Sequence, residues 1–147
     1  MEFRFRSIGT IHSPFTDKSE MPIQASRSTA QGRIILEPEY VPGLKDIDGF
    51  SHLILLYVFH RSTGYNLEVQ PFLDNQTRGL FATRYPRRPN PLGLSVVQLL
   101  GRHENILEIM DVDVLDGTPL LDIKPYMPDF DVRTETKIGW YETRKYP

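Results

Sequence analysis

A chain of 147 residues, 39% hydrophobic and 11% aromatic, is long enough to bury a core and reads as a single domain over residues 1–147. The net charge of −2 excludes a uniformly basic coat, and the absence of cysteine excludes disulfides, thiolate nucleophiles and cysteine-ligated zinc. Twelve prolines and ten glycines argue against a helical bundle, and the lack of a signal core or a membrane-length apolar run makes a cytoplasmic location the expectation.

Phe3 to Ile11 alternates well enough to predict a half-buried strand, ended by Ser13-Pro14. Thr16 to Gln31 is polar, contains Pro22 and has no helical periodicity, so it predicts a long loop of the kind that often carries function. Gly32 to Glu37 predicts a second strand closed by Pro38; Pro42-Gly43 marks a turn and Leu44 to Asp48 one helical turn. Phe50 to His60 gives the strongest core signal, because Leu53 to Phe59 is apolar at every position, which predicts a strand buried on both faces. Arg61 to Leu73 is ambiguous, with Gly64 and Pro71 as breakers.

Leu80 to Thr83 predicts a short strand, and Leu94 to Leu100 and Ile106 to Leu115 predict two longer ones around a turn at Arg102 to Asn105. Asp116-Gly117 predicts a tight turn with positive φ, Leu120 to Ile123 a further short strand, and Thr134 to Pro147 a strand or a short helix. Short strands with Gly/Pro punctuation and few short helices predict an all-β, mainly antiparallel barrel or sandwich.

Charge is divided along the chain. From Asn75 to His103 there is no acidic residue, whereas Arg78, Arg84, Arg87, Arg88 and Arg102 are present; from Glu104 to Asp131 acidic residues dominate. Arg84, Arg87 and Arg88 sit among Pro86, Pro89 and Pro91. Proline stiffens this loop, so planar cationic donors are presented to an anion or a base edge at little entropic cost. The alternatives are solvated strand charges and, for Pro86-Arg-Arg-Pro89, a polyproline segment read by a partner domain.

Other chemistries have weaker support. His12, His52, His60 and His103 lie on separate elements without zinc-site spacing, so no metal is expected. Ser95 lacks the nucleophile-elbow pattern, and there is neither a dinucleotide fingerprint nor a Walker loop. Asp111 and Asp113 are expected on one strand face with Asp116 just past its end. Carboxylates so placed suit a divalent cation, ribose hydroxyls or a sulfonium, or simply keep an edge strand soluble.

Several blocks occur together in order: Ile11-His-Ser-Pro-Phe15, Gly49-Phe-Ser-His-Leu53, Phe81-Ala-Thr-Arg84 with Arg88-Pro-Asn-Pro-Leu-Gly-Leu-Ser95, and Asp116-Gly-Thr-Pro119 with Leu121-Asp-Ile-Lys-Pro-Tyr126. With these the chain resembles the YaeB/TsaA-like, TrmO-type family. The resemblance implies a single closed or partly open β-barrel, a homodimer, and S-adenosylmethionine-dependent methylation of N6 of threonylcarbamoyladenosine beside the anticodon in tRNA. It places cofactor contacts at Pro22, Ile23, Gln24, His60, Arg61, Arg84, Leu94, Asp113, Val114, Leu115 and Asp116. Ile23 stands where relatives often carry arginine. Arg84, His60 and Asp116 become the candidate catalytic residues, and Tyr85, Arg87 and Arg88 the candidate contacts to the anticodon arm. Rival readings are a non-catalytic RNA-binding β-barrel and a methyltransferase with a different nucleoside or small-molecule acceptor.

Overall fold

The computed structural model describes residues 1–20, 28–72 and 74–143. It falls into two compact units, Met1–His60 with Leu92–Tyr126, and Arg61–Pro91 with Met127–Pro147.

The first unit is a closed antiparallel barrel. Its strands are β1 (Gly9–His12), β2 (Gln31–Leu36) and β3 (His52–Val58), which precede the second unit's short β4 (Glu68–Val69) and β5 (Arg78–Gly79) in the chain. The barrel is completed by β6 (Leu92–His103), β7 (Ile106–Met110) and β8 (Thr118–Pro125). The order around the barrel is β1-β2-β7-β6-β3-β8, so every barrel strand has two neighbours and none is left as a pairing edge. The expected all-β barrel is therefore what forms. Inward residues fill it: Ile11, Ile34, Leu53, Leu55, Leu107, Ile109 and Leu120 are essentially inaccessible.

Several boundaries differ from the expectation, each for a local reason. The first strand starts at Gly9, not Phe3, and Phe3 and Phe5 are both 73% exposed. Alternation there is not matched by a core to face. β3 is not buried on both sides: Leu53, Leu55 and Tyr57 point inward while Ile54, Leu56 and Val58 are half-buried on the outside. Its outward neighbours by register are Val96, Leu94 and Leu92, so the continuous apolar run records an apolar outer strip.

Pro38 does not merely close β2. It opens a 3-10 helix, Pro38–Leu44, where the missing N–H costs nothing at a helix start. A further 3-10 turn, Ile47–Gly49, replaces the single turn expected over Leu44 to Asp48.

The longest correction concerns Ile106 to Leu115. β7 stops at Met110, because Asp111 takes a left-handed φ of 71° and turns the chain out of the ladder. Residues 111–117 then cross the end of the barrel as a loop, and Asp111 and Asp113 do not share a strand face.

In the second unit, β4 and β5 pair through Glu68 with Gly79 and Val69 with Arg78. Leu80–Ala82 is a 3-10 helix in place of the expected strand. The C-terminal segment contributes one helical turn, α1 (Pro128–Asp131), and a 3-10 helix over Gly139–Thr143. Among the described residues no helix is long and apolar enough to cross a membrane.

Candidate functional site

One end of the barrel carries the buried polar residues Ser28, Ser95 and Thr118. β1 and β3 finish there, β6 and β8 begin there, and the 111–117 loop spans it. The chain also leaves the barrel at Phe59-His60 and re-enters at Leu92 on this end.

The loop is fixed by alternation. Val112 and Val114 are buried in the core, and Asp113 between them is half-buried. Side-chain hydroxyls secure it: Ser28 Oγ donates to Val112 O at 2.6 Å, and Ser13 Oγ donates to Val114 O. Val112 N in turn donates to Ala30 O at 3.2 Å.

Asp113 is held from below by the barrel wall. Ser95 Oγ donates to Asp113 Oδ1 at 2.6 Å, and the Tyr57 hydroxyl lies 2.7 Å from Ser95 Oγ. Both Tyr57 and Ser95 are buried. Gly93 makes this possible, since a Cβ on it would collide with the Tyr57 ring and meet Phe59.

Asp116 serves the other side of the loop. Its Oδ1 lies 2.9 Å from His12 Nδ1 and accepts the Ser13 N–H at 3.1 Å, while Asp116 N donates to Phe15 O. Burial disfavours its charge, but the His12 and Ser13 hydrogen bonds and the His12 charge outweigh this and hold the carboxyl below its ordinary value. Gly117 follows with φ 84°, as the Asp-Gly turn requires.

Among the sequence-predicted residues, Asp113, Val114, Leu115 and Asp116 lie on this loop, and His60 is exposed just past the end of β3. Leu94 is 53% exposed on the outer face of β6, back to back with inward Ser95. Arg61, Arg84, Tyr85, Arg87 and Arg88 belong to the second unit. Pro22, Ile23 and Gln24 lie outside the described residues.

Within the second unit the arginines have separate surroundings. Arg88 Nη1 donates to Thr83 O at 3.0 Å and Tyr85 O at 2.9 Å, and its guanidinium sits 5.8 Å from the Phe81 ring centroid. Arg88 thus braces its own loop, whereas Arg84 and Arg87 are exposed. Arg78 is paired with Asp74, whose side chain is fully buried, through Nε and Oδ2 at 2.6 Å.

Sequence reasoning missed Tyr57, Ser95 and Gly93 as a group. The signal was available: Ser95 and Gly93 occupy the inward parity of a strand whose next residues of that parity, Val97 and Leu99, are apolar.

A cavity of about 470 Å³ lies elsewhere, lined by Leu44, Ile47, Tyr40 and Phe50 with Asp122 and Ile123. Ile8 and Leu36 place it at the opposite end of the barrel, beyond Gly9. Among the described residues no group of three or more His, Asp or Glu side chains is placed to hold a metal ion.

Residues 10–132 match the model of the tRNA-methyltransferase O N-terminal domain. The chain belongs to that family. It is 55% identical over 139 residues to a "Probable S-adenosyl-L-methionine-binding protein" of Pyrococcus abyssi, covering 94% of this chain and 76% of that protein. It is 38% identical over 137 residues to the tRNA (adenine(37)-N6)-methyltransferase of Escherichia coli, covering 86% of this chain and 58% of the relative. The crystal structure of TrmO from Pseudomonas aeruginosa superposes with a TM-score of 0.81 at 36% identity, covering 95% of this chain and 63% of that one. The chain therefore spans about three-fifths of the length of the last two proteins.

Proposed function

We propose that this protein is an S-adenosylmethionine-dependent tRNA methyltransferase acting on N6 of threonylcarbamoyladenosine beside the anticodon, in the cytoplasm and as a homodimer. The observation that carries the reading is the oriented Asp113 carboxylate on the loop crossing the barrel end, in a chain of this family.

The donor set fits the cofactor's chemistry. A carboxylate whose Oδ1 is held by a serine accepts from ribose hydroxyls or an ammonium, and partly buried carboxylates beside it favour a cationic ligand. Arg84 is an exposed, permanently charged fork suited to a methionyl or threonyl carboxylate.

When bound, S-adenosylmethionine would supply an electrophilic methyl carbon: the acceptor nitrogen would bond to that carbon in line as the carbon–sulfur bond breaks, and the neutral thioether would be the leaving group. The chain's part is to hold the partners collinear, and such positioning supplies much of the rate in transfers of this kind. The acceptor nitrogen also gives up a proton. Asp116 is a poor acceptor, because hydrogen bonds already stabilise its ionised form. His60, exposed at the strand end, is the assigned acceptor of the two.

Arg87 and Tyr85, both exposed, meet the anticodon-arm backbone and a loop base. Val58 opposite Leu92, Leu56 opposite Leu94 and Ile54 opposite Val96 form an outward apolar strip that suits a second copy.

The deciding experiment incubates the protein with S-adenosylmethionine and tRNA, then analyses the nucleosides by mass spectrometry. A mass gain of one methyl on threonylcarbamoyladenosine is expected. Calorimetry showing cofactor binding without that product would redirect the acceptor assignment. No cofactor binding at all would leave a non-catalytic RNA-binding barrel. Light scattering checks the dimer.

A further inference from the structure

We infer that Ser95, backed by Tyr57, is a positioning residue that aims the Asp113 carboxylate at the ribose hydroxyls of the cofactor. This rests on the cofactor reading above and goes beyond it, since neither side chain belongs to the expected contacts.

The hydrogen-bond inventory fixes the direction of the relay. A serine hydroxyl has one proton. An ionised carboxylate can only accept, so Ser95 gives that proton to Asp113 Oδ1 at 2.6 Å. The Tyr57 hydroxyl must then donate to Ser95 Oγ across 2.7 Å. The chain runs Tyr57 to Ser95 to Asp113, and each step strengthens the next.

Its location argues against mere packing. Ser95 is 4% exposed and Tyr57 3% exposed, both on the inward face of the barrel. An apolar pair of similar shape would fill that space without the cost of burying two hydroxyls. The neighbouring valines, Val112 and Val114, already anchor the loop in the core. The relay therefore adds direction to one carboxylate oxygen, Asp113 Oδ1, from the barrel wall.

The test measures S-adenosylmethionine affinity by calorimetry in the full chain, for the unchanged protein, Ser95→Ala, Asp113→Asn and the pair combined, with a thermal melt for each. Ser95→Ala is expected to weaken binding about tenfold, in line with loss of a hydrogen bond to a charged group. Added to Asp113→Asn it should cost less than about twofold, because coupled residues are non-additive. Tyr57→Phe keeps the ring and its packing, so it serves if Ser95→Ala folds poorly; it should weaken binding about threefold through loss of one neutral hydrogen bond. A Tyr57→Phe, Ser95→Ala protein that melts normally yet binds weakly would support positioning over packing.

Unchanged cofactor affinity in Ser95→Ala or Tyr57→Phe would overturn the inference. Fully additive losses with Asp113→Asn would overturn it too, since Ser95 would then act independently of Asp113. If the unchanged protein itself binds no S-adenosylmethionine, the functional reading falls first and the inference with it.

Discussion

Asp116 Oδ1 and His12 Nδ1 meet at 2.9 Å, joining the turn before β8 to the last residue of β1. The same oxygen takes the Ser13 N–H, so one carboxylate ties the C-terminal end of the segment that crosses the barrel mouth to the end of β1. It is more a strut of the site than a base within it.

Asp116 should make stability depend on pH with a defined sign. Its folded-state carboxyl lies below its ordinary 3.8. A depressed value stabilises the native state above the unfolded pKa, and that stabilisation fades as pH falls through the folded one. Asp116→Asn should therefore lower the melting temperature near neutral pH, and the gap should shrink as pH falls below that ordinary value. With 42% of the side chain exposed, the difference should stay within about 1 kcal/mol. Calorimetric melts of both proteins across that range would check it; a gap that widens in acid would refute it.

The Asp74–Arg78 pair should be costly to break. Asp74 has a fully buried side chain and also accepts the N–H groups of Asn75 and Gln76. Arg78 lies 5.6 Å from the Trp140 ring centroid, and Trp140 Nε1 donates to Ala82 O at 2.8 Å. Arg78→Ala removes the counter-charge and one face of this stack, so denaturant unfolding should show a loss of about 3 kcal/mol. Trp140→Phe keeps an aromatic face and should lose only about 1 kcal/mol, the value of one hydrogen bond.

Gly93→Ala should damage the barrel end despite being a single methyl. Its Cβ would overlap the Tyr57 ring and approach Phe59, so the ring must move. Overpacking of this kind costs about 1–3 kcal/mol. The displaced tyrosine would also lose Ser95, and the chemical shift of the Tyr57 ring offers a direct readout. Normal stability with an unshifted ring would contradict the described packing.

The arginines should separate by assay. Arg84→Ala is expected to abolish methylation. Arg87→Ala should weaken tRNA binding, and the slope of log affinity against log salt should fall by about one unit while S-adenosylmethionine still binds. Arg88→Ala should instead loosen the loop, through loss of its bonds to Thr83 and Tyr85, and be visible as faster backbone hydrogen exchange there. Equal salt-slope changes for Arg87→Ala and Arg88→Ala would show that both face the RNA backbone.

Taken alone, the sequence determined the class of fold and the family. Period-two alternation, proline stops and the Asp116-Gly117 turn are local signals, and each is written within a few residues. They placed most of the barrel strands and marked the Arg84 to Arg88 loop as stiff and cationic. They misjudged Phe3 to Ser7, where alternation found no core, and Leu53 to Phe59, where apolar residues on the outer face copied the pattern of a doubly buried strand.

Only the tertiary structure decided which polar groups act together. Tyr57, Ser95 and Asp113 come from three separate elements, and His12 meets Asp116 from the far end of the barrel sequence. Register and barrel closure create those contacts, and neither is encoded in any short window. A left-handed Asp111 ends β7 early and converts expected strand aspartates into a loop across the barrel end. The sign of each side chain was legible in advance; its partner was set by closure.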